Sequence, residues 1–478
     1  MINYYYSPTL RDLGVLVSAW AVFLCLKKKK RHAYPLPPSP PGQLPLLGHA
    51  LQIPPKFEWI AYEKWSNELG SDIIYLNALG MDLVIVQSVQ MCNDLLDTRS
   101  AKYSSRGHFV MVNELMGYDW TMPTLPYGEK WKDQRKLFMR HLSANNRTLY
   151  EPRITDNVLR LLSRLLDGPE NWMRSVRLMV GGTAFSIAYG IDADVEGDPN
   201  IQLASDSLRT TMDALLPGKY FVEFLPILKY LPKWLPGARF HQDALEGRTF
   251  MNRIRAEPFA QAEEQLSRGT ALPSLTSDVF DGIREAGSDT TVASVDSFIL
   301  AMLIHPEIQK KARDEIDSVV GTDRLPELAD ERDLPYLCAA IKELFRWRPV
   351  SGIVLPHKCT EDDVYQGYFI PKDTLIIPNQ KAMLYNTKDY PNPEIYNPER
   401  FLTEDGKPKT DILDPYDIAF GFGRRKCPGF HVALATTFMT AASILSLFEI
   451  QKPLDEDGFP IEPSMDVIPG ITSWVFDR

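Results

Sequence analysis

The richest stretch of reactive side chains lies between Phe420 and Gly429, which reads Phe-Gly-Phe-Gly-Arg-Arg-Lys-Cys-Pro-Gly. Cys427 is its nucleophile or ligand. A long apolar run from Phe430 follows and reads as a helix. A sulfur at a helix start faces the positive end of the macrodipole and first-turn amides that lack helical partners. Both effects lower a thiol pKa and favour thiolate. Pro428 suits the first turn of that helix, where a missing amide costs nothing. Gly421 and Gly423 permit tight turns and close approach of backbone to a flat ligand. Arg424, Arg425 and Lys426 offer positive charge to an anionic group nearby. A soft thiolate wrapped by such a loop suits a haem iron. The rival reading of one isolated cysteine is a buried, inert thiol.

Three other patterns could serve chemistry. Trp131 and Arg135 stand four apart in Trp-Lys-Asp-Gln-Arg, so a helix puts them on one face. Glu343 and Arg346 stand three apart in Glu-Leu-Phe-Arg and can pair, buried or solvated. Ala286-Gly-Ser-Asp-Thr-Thr291 sets the small Ala286 and Gly287 before Asp289 and Thr290. Asp289 and Thr290 are groups that could hand on protons. A threonine hydroxyl there can bond back to a helix carbonyl or hold a water. Ser288 and Asp289 read equally well as a helix cap.

Taken whole, Phe420, Gly423, Arg425, Cys427 and Gly429 fit F-x-x-G-x-R-x-C-x-G, a chance event on the order of once in ten thousand chains of this composition. On these residues the sequence resembles the cytochrome P450 family, over nearly everything after the proline-rich segment at 35–41. The wording of 341–350, IKELFRWRPV, and of the cysteine loop is similar to fungal, microsomal-type members of secondary metabolism, of the O-methylsterigmatocystin oxidoreductase-like kind. The resemblance implies that Cys427 is the axial ligand of the iron of haem b. It implies that Trp131, Arg135 and His357 reach the haem propionates, and that Phe420, Gly423, Arg425 and Gly429 shape the loop around the haem. Ala286 and Gly287 would leave room beside the iron, and Asp289 and Thr290 would deliver protons to bound dioxygen. Glu343 and Arg346 match the family's E-x-x-R, with Arg400 of Pro398-Glu-Arg-Phe401 as third partner. One carboxylate between two guanidiniums is a directional network that fixes geometry more surely than it adds stability.

The match breaks in two places. The family carries a long apolar stretch before A-G-x-D-T, whereas residues 277–285 read Ser-Asp-Val-Phe-Asp-Gly-Ile-Arg-Glu. The front of the central helix is therefore expected to be shortened, which favours the capping reading of Ser288 and Asp289. The end, Ile471 to Arg478, is expected to fall short of the family's final strand.

The elements that must position these residues are mostly helices by period: Glu129–Leu142, Asp156–Leu166, Pro306–Val320, Leu334–Trp347 and Phe430–Leu447. Ile73–Asn77 and Leu83–Gln87 read as paired strands, and Val364–Ile370 with Thr374–Ile377 as a hairpin turning through Pro371-Lys-Asp373. The expected class is mainly α with small β-sheets, the cytochrome P450 fold, as one large domain over 43–478.

Ahead of that domain, Leu13–Leu26 carries no charge and Lys27–Arg31 gives five consecutive cations. As a helix the apolar run spans about 21 Å, short of the roughly 30 Å hydrocarbon core, so it must borrow flanking residues. Cations after the apolar run, rather than before it, favour a signal-anchor with a cytoplasmic body over a cleaved signal. A buried or interfacial helix is the other reading. Residues 1–32 thus read as a membrane anchor in the endoplasmic reticulum, single-pass, with the catalytic domain facing the cytosol. Residues 33–42, with Pro35, Pro37, Pro38, Pro40 and Pro41, read as a stiff linker.

A net charge of −10 argues against nucleic-acid binding. Five widely spaced cysteines with no C-x-x-C argue against a zinc ribbon or dithiol site and fit a reducing compartment.

The function implied is a monooxygenase that inserts one oxygen atom from O2 into a hydrophobic small molecule: a terpenoid, polyketide, aromatic or steroid. Electrons come from NADPH-cytochrome P450 reductase, with cytochrome b5 as a possible second donor, docking near the cationic stretches 135–140 and 424–426. Two alternatives stand beside it. One is an inactive protein crippled by the shortened helix; the other is a haem-thiolate isomerase or dehydratase that needs no reductase.

Overall fold

The computed structural model describes residues 33–193, 197–216, 219–278, 289–464, 467–468 and 474–475. The expected anchor, and Ala286 and Gly287, lie outside them. Ten longer helices run in chain order among the described residues. They are α1 (Glu58–Leu69), α2 (Glu129–Leu142), α3 (Arg147–Asp167), α4 (Trp172–Tyr189), α5 (Pro199–Ala214), α6 (Phe240–Ser267), α7 (Asp289–Ile304), α8 (Pro306–Val319), α9 (Pro335–Trp347) and α10 (Phe430–Leu447). The fold is mainly helical with small sheets, as expected from the sequence.

Period explains most of these elements. In α9, Pro335 opens the first turn and Leu337, Ile341, Leu344 and Phe345 are buried along one side. In α2, Glu129 sits in the first turn and Arg140 and His141 in the last, each complementing the helix dipole. Helix α3 starts nine residues before the expected Asp156, because Pro152 lies inside it and hides its opening turns from a pattern reading. Helix α10 is the one unbroken helix among the described residues long and apolar enough to cross a membrane. Yet Ala435 to Leu445 is buried against α3, α7, α8 and α9, so it serves here as the central core helix.

The main sheet has strand order β1-β2-β7-β4-β3. Its strands are β1 (Ile73–Ala78), β2 (Met81–Val86), β3 (Ser105–Arg106), β4 (His357–Lys358) and β7 (Leu375–Pro378). β1 and β2 pair antiparallel with Ile73 opposite Val86, matching the strands expected there. The expected hairpin through 371–373 does not form. Instead β5 (Asp363–Tyr365) turns into β6 (Tyr368–Ile370) at Gln366 and Gly367, both left-handed, the backbone a two-residue hairpin turn requires. β7 pairs with β2 and β4 instead. The remaining pair is β8 (Val467–Ile468) with β9 (Trp474–Val475).

The proline-rich stretch is not a free spacer over its length. Pro35 and Pro38 accept backbone hydrogen bonds from Phe369 and Tyr75 at 2.7 and 2.8 Å, which dock this stretch on the β part.

Candidate active site

The cysteine loop closes on itself. The Cys427 amide donates to the Phe420 carbonyl at 2.8 Å, and the Lys426 amide to Gly423 at 3.2 Å. Gly421 and Gly423 take φ of +78° and +54°, where glycine is favoured. A methyl group on Gly423 would collide with the carbonyl of Leu96. Gly423 is thus needed for its close approach to the segment 93–98. Phe420 is wedged edge-on against Phe430 at 4.8 Å between ring centroids, and lies 5.2 Å from Phe345.

Helix α10 starts at Phe430 with Gly429 as its cap, so Pro428 lies before the helix rather than in its first turn. The expectation of a depressed thiol pKa also needs correction. The sulfur is accessible, but protein surrounds it on the other sides. That burial pushes the Cys427 thiol up, against the opposing pull of the Gly429 amide and of Arg135. The protein alone thus favours the thiol; a cation on the sulfur would be needed to hold the thiolate.

Beside the loop lies a cluster of cations, Arg106 buried and Arg135 and Arg425 half-buried. Arg425 donates to the carbonyls of Ser104, Met122 and Leu125 at 2.8, 3.2 and 2.7 Å, and its guanidinium lies 4.4 Å over the Trp131 ring. Arg135 reaches the Lys426 carbonyl at 2.5 Å from the same face of α2. Arg106, buried in β3, donates to the carbonyls of Pro123, Leu355 and Pro356. His357 is paired to Arg106 across β3 and β4. Its Nδ1 lies 2.8 Å from the Tyr103 carbonyl, while its buried Nε2 has no partner. Among the described residues no carboxylate pairs with Arg106, Arg135 or Arg425.

The electrostatics follow from that. Burial, then the neighbouring Arg425, holds the Arg106 pKa well below its ordinary value. Burial, then Arg135, lowers Arg425 to about 10. Burial, then Arg106, pushes His357 well below the usual imidazole range. Buried like charges that meet only carbonyl oxygens call for an anion. Arg106 was not legible in the sequence: a single arginine before Gly107 matches no motif, and only the β3–β4 pairing brings it to His357.

The flanking charges do something else. Arg424 donates to the Tyr127 hydroxyl at 2.6 Å and Lys426 to Asp417 at 2.8 Å, both at the surface.

Glu343 and Arg346 are fully buried. Arg346 makes two bonds to the carboxylate at 2.7 Å each, and Arg400 adds a third at 3.0 Å. The Asn397 amide bonds the same carboxylate at 3.0 Å. This network ties α9 to the 398–401 turn and stands apart from the cysteine loop.

The described part of the central helix, α7, opens at Asp289 and packs on α4, α9 and α10. Thr290 is exposed at that end, and its carbonyl accepts from Ser294 at 3.1 Å. No contact joins Thr290 to the cysteine loop among the described residues.

An exposed cysteine ahead of a core helix therefore lies beside cations that no carboxylate among the described residues neutralises. The sequence matches the family model for cytochrome P450 over residues 37–268 and 276–470. The chain belongs to the cytochrome P450 family.

Relatives in this family are fungal. The chain is 41% identical to the cytochrome P450 monooxygenase ple1 of Rhodocybe pseudopiperita, over 96% of this chain and 92% of the relative. It is 37% identical to cytochrome P450 monooxygenase 98 of Postia placenta, over 98% and 93%. It is 36% identical to the tryptamine 4-monooxygenase of Psilocybe cyanescens, over 94% and 92%. P450 membership implies a haem-thiolate cofactor, dioxygen, a redox partner and a hydrophobic substrate. The residues present fit that cofactor: the sulfur is accessible, and the unpartnered His357 Nε2 with the carboxylate-free Arg106 and Arg425 suits its propionates. One mismatch remains. The alignment with the Rhodocybe protein runs over 485 positions, although 96% of this 478-residue chain takes part, so that relative carries residues with no counterpart here.

Proposed function

We propose that this P450 inserts one atom of dioxygen into a hydrophobic small molecule, a terpenoid, polyketide, aromatic or steroid. Electrons are drawn from an NADPH-dependent reductase, with cytochrome b5 as an auxiliary donor. The observation that carries the reading is the closeness of Arg106, Arg425 and His357, without a carboxylate partner among the described residues, near the exposed Cys427. When bound, haem b supplies the activation of dioxygen. Cys427 would hold its iron through sulfur. Arg106, Arg135, Arg425, Trp131 and His357 hold its propionates, and Phe420, Gly423 and Gly429 shape the loop. The family resemblance further assigns the small Ala286 and Gly287, which lie outside the described residues, to the oxygen side, where Asp289 and Thr290 would deliver protons. Glu343, Arg346 and Arg400 hold the scaffold. A relative named as a tryptamine monooxygenase supports the aromatic branch of the substrate class.

The body sits at the endoplasmic reticulum membrane, facing the cytosol. Phe221, Ile227, Tyr230 and Trp234 support this: they are exposed between α5 and α6, beside the exposed Lys233, and suit an anionic lipid surface. The reductase docks at the surface formed by Arg424 and Lys426.

A second reading is a haem-thiolate protein with impaired oxygen chemistry, or an isomerase or dehydratase needing no reductase. The charged stretch 277–285, where the family carries an apolar run, favours the impaired reading. One experiment separates them. The full chain is reconstituted with a fungal reductase and NADPH, and offered a panel of hydrophobic compounds under isotope-labelled dioxygen. One labelled oxygen atom in a product establishes the monooxygenase; product without label, or without NADPH consumption, establishes the alternative.

A further inference from the structure

Between α9, α10 and the segment 401–408 lies a cavity of about 220 Å³, open to solvent on one side. Cys338, Phe401, Tyr416, Leu434 and Phe438 line it, and its walls are mostly apolar. Phe401 and Phe438 belong to the main core, which makes those walls rigid. An apolar cavity of about 150 Å³ is enough to take up benzene. This one has room for a single aromatic ring with a small substituent, and it is smaller than the usual site for a drug-sized ligand.

The polar groups around it are nearly all committed. Lys342 pairs with Asp414 at 2.8 Å, and Glu331 with Arg147 at 2.5 Å. The Cys338 thiol donates to the Glu331 carbonyl at 3.2 Å. Tyr416 differs. Its amide donates to the Asp414 carboxylate at 2.9 Å, and its ring stands edge-on to Phe345 and Phe430 at 5.6 and 5.9 Å. Its hydroxyl has no hydrogen-bond partner among the described residues. Burial first, then Cys338, Asp414 and Glu331, push this phenol far above its ordinary range. Those neighbours put the hydroxyl at the Cys338 and Glu331 end of the cavity, where it stays a neutral donor. An unpaired donor in mostly apolar surroundings favours one acceptor oxygen. Because the charged groups of the wall are already paired, a neutral molecule fits better than an ion.

The same wall reaches the cysteine loop. Tyr416 packs on Phe420 at 6.1 Å between ring centroids, and Phe420 on Phe430 at 4.8 Å. The Phe420 carbonyl accepts the Cys427 amide. A ring seated beside Tyr416 therefore bears on a residue that holds the cysteine.

We propose that this cavity is an effector site for a small neutral aromatic molecule with one acceptor oxygen, such as an aryl ketone, which meets the Tyr416 hydroxyl and steadies the cysteine loop through Phe420. The steadying half rests on the haem reading above; the binding half does not.

The test uses the full chain, loaded with haem and blocked on its iron by excess clotrimazole, so that no probe is counted there. Fluorine NMR follows titration with 4-fluoroacetophenone and with 4-fluorotoluene, which lacks the acceptor. The ketone is expected to saturate one site, and the toluene to bind several-fold more weakly. Tyr416→Phe should weaken the ketone about five- to tenfold and leave the toluene unchanged. Cys338→Phe on α9 and Leu434→Phe on α10, both at half-buried positions, fill the cavity from two sides and should each abolish saturable binding. No saturable binding of the ketone to the natural chain, or binding that survives both filling variants, overturns the site. Equal ketone affinity in Tyr416→Phe overturns the role of the hydroxyl. Steadying is read without clotrimazole, as the rate at which the reduced carbon monoxide complex loses its red-shifted band on warming. The ketone should slow that loss several-fold in the natural chain and not in the filling variants. No slowing, or equal slowing in the variants, overturns the steadying. A natural chain that holds no haem counts against the haem reading and the steadying together, and the same titration of the haem-free chain then decides the site.

Discussion

The guanidinium of Arg425 lies 4.4 Å over the indole ring of Trp131, so a cation from the cysteine loop is stacked on a residue of α2. The contact couples the two segments that flank the pocket. It also fixes Arg425 where its like-charged neighbour Arg106 raises the cost of leaving the pocket without an anion. Holding two cations together in a desolvated place is unfavourable until a counter-charge arrives.

That arrangement predicts haem retention. If Arg106 and Arg425 hold the propionates as proposed, Arg106→Met and Arg425→Met each remove a charge-assisted bond, and each is expected to speed haem loss by roughly ten- to a hundredfold. Transfer of haem to an excess of apomyoglobin measures the rate. An unchanged rate in both variants removes the cradle from the account.

His357 predicts a pH dependence. Its folded pKa is depressed, by burial first and by Arg106 next, so the unfolded chain binds the extra proton. The stability linked to this residue is complete above the unfolded pKa of about 6.5 and drains away as pH falls below it. Thermal melts of the haem-free chain should drop between pH 7.5 and 5.5, and His357→Phe should flatten the slope. Haem should flatten it too, since a propionate placed beside Nε2 as proposed would raise the imidazole pKa. Equal slopes in all three states contradict this.

Glu343 predicts the largest scaffold effect. Glu343→Ala leaves Arg346 fully buried without a counter-ion, a loss of about 3–5 kcal/mol. Arg400→Ala should cost less, because Arg346 keeps both its bonds to the carboxylate. Urea unfolding measures the difference, and an Arg400 variant as unstable as the Glu343 variant reverses the assignment.

Gly423 predicts a loop that cannot tolerate a side chain. Gly423→Ala meets both a left-handed backbone, worth about 1–2 kcal/mol, and the Leu96 carbonyl. Haem content should fall to near nothing. Full occupancy in this variant shows that the loop can move away from 93–98.

Lys426 predicts a kinetic effect only. Its ammonium reaches Asp417 at the surface, so Lys426→Glu should leave the fold intact and slow reduction by the reductase, most at low salt. Stopped-flow reduction at two ionic strengths decides it; the same rate in both proteins places the docking surface elsewhere.

The sequence made some of this visible and hid the rest for definite reasons. Helices α2 and α10 were legible to the residue, because apolar period and bounding Gly or Ser agree. The cysteine loop was legible as a linear string. The hairpin was misplaced, because Pro371-Lys-Asp373 resembles a turn more than Gln366-Gly367 does, although the latter pair takes the left-handed backbone. Arg106 meets Leu355 and Pro356 from 249 and 250 residues away and leaves no local trace. The thiol pKa was misjudged because helix position was weighed without burial.

The central claim is that Cys427 holds a haem through its sulfur. The direct measurement is the difference spectrum of the dithionite-reduced full chain with and without carbon monoxide, run beside Cys427→Ser. The account predicts a strongly red-shifted Soret band in the natural chain and its loss in the variant. A band at the ordinary, shorter wavelength in the natural chain, or the red-shifted band persisting in Cys427→Ser, would contradict it.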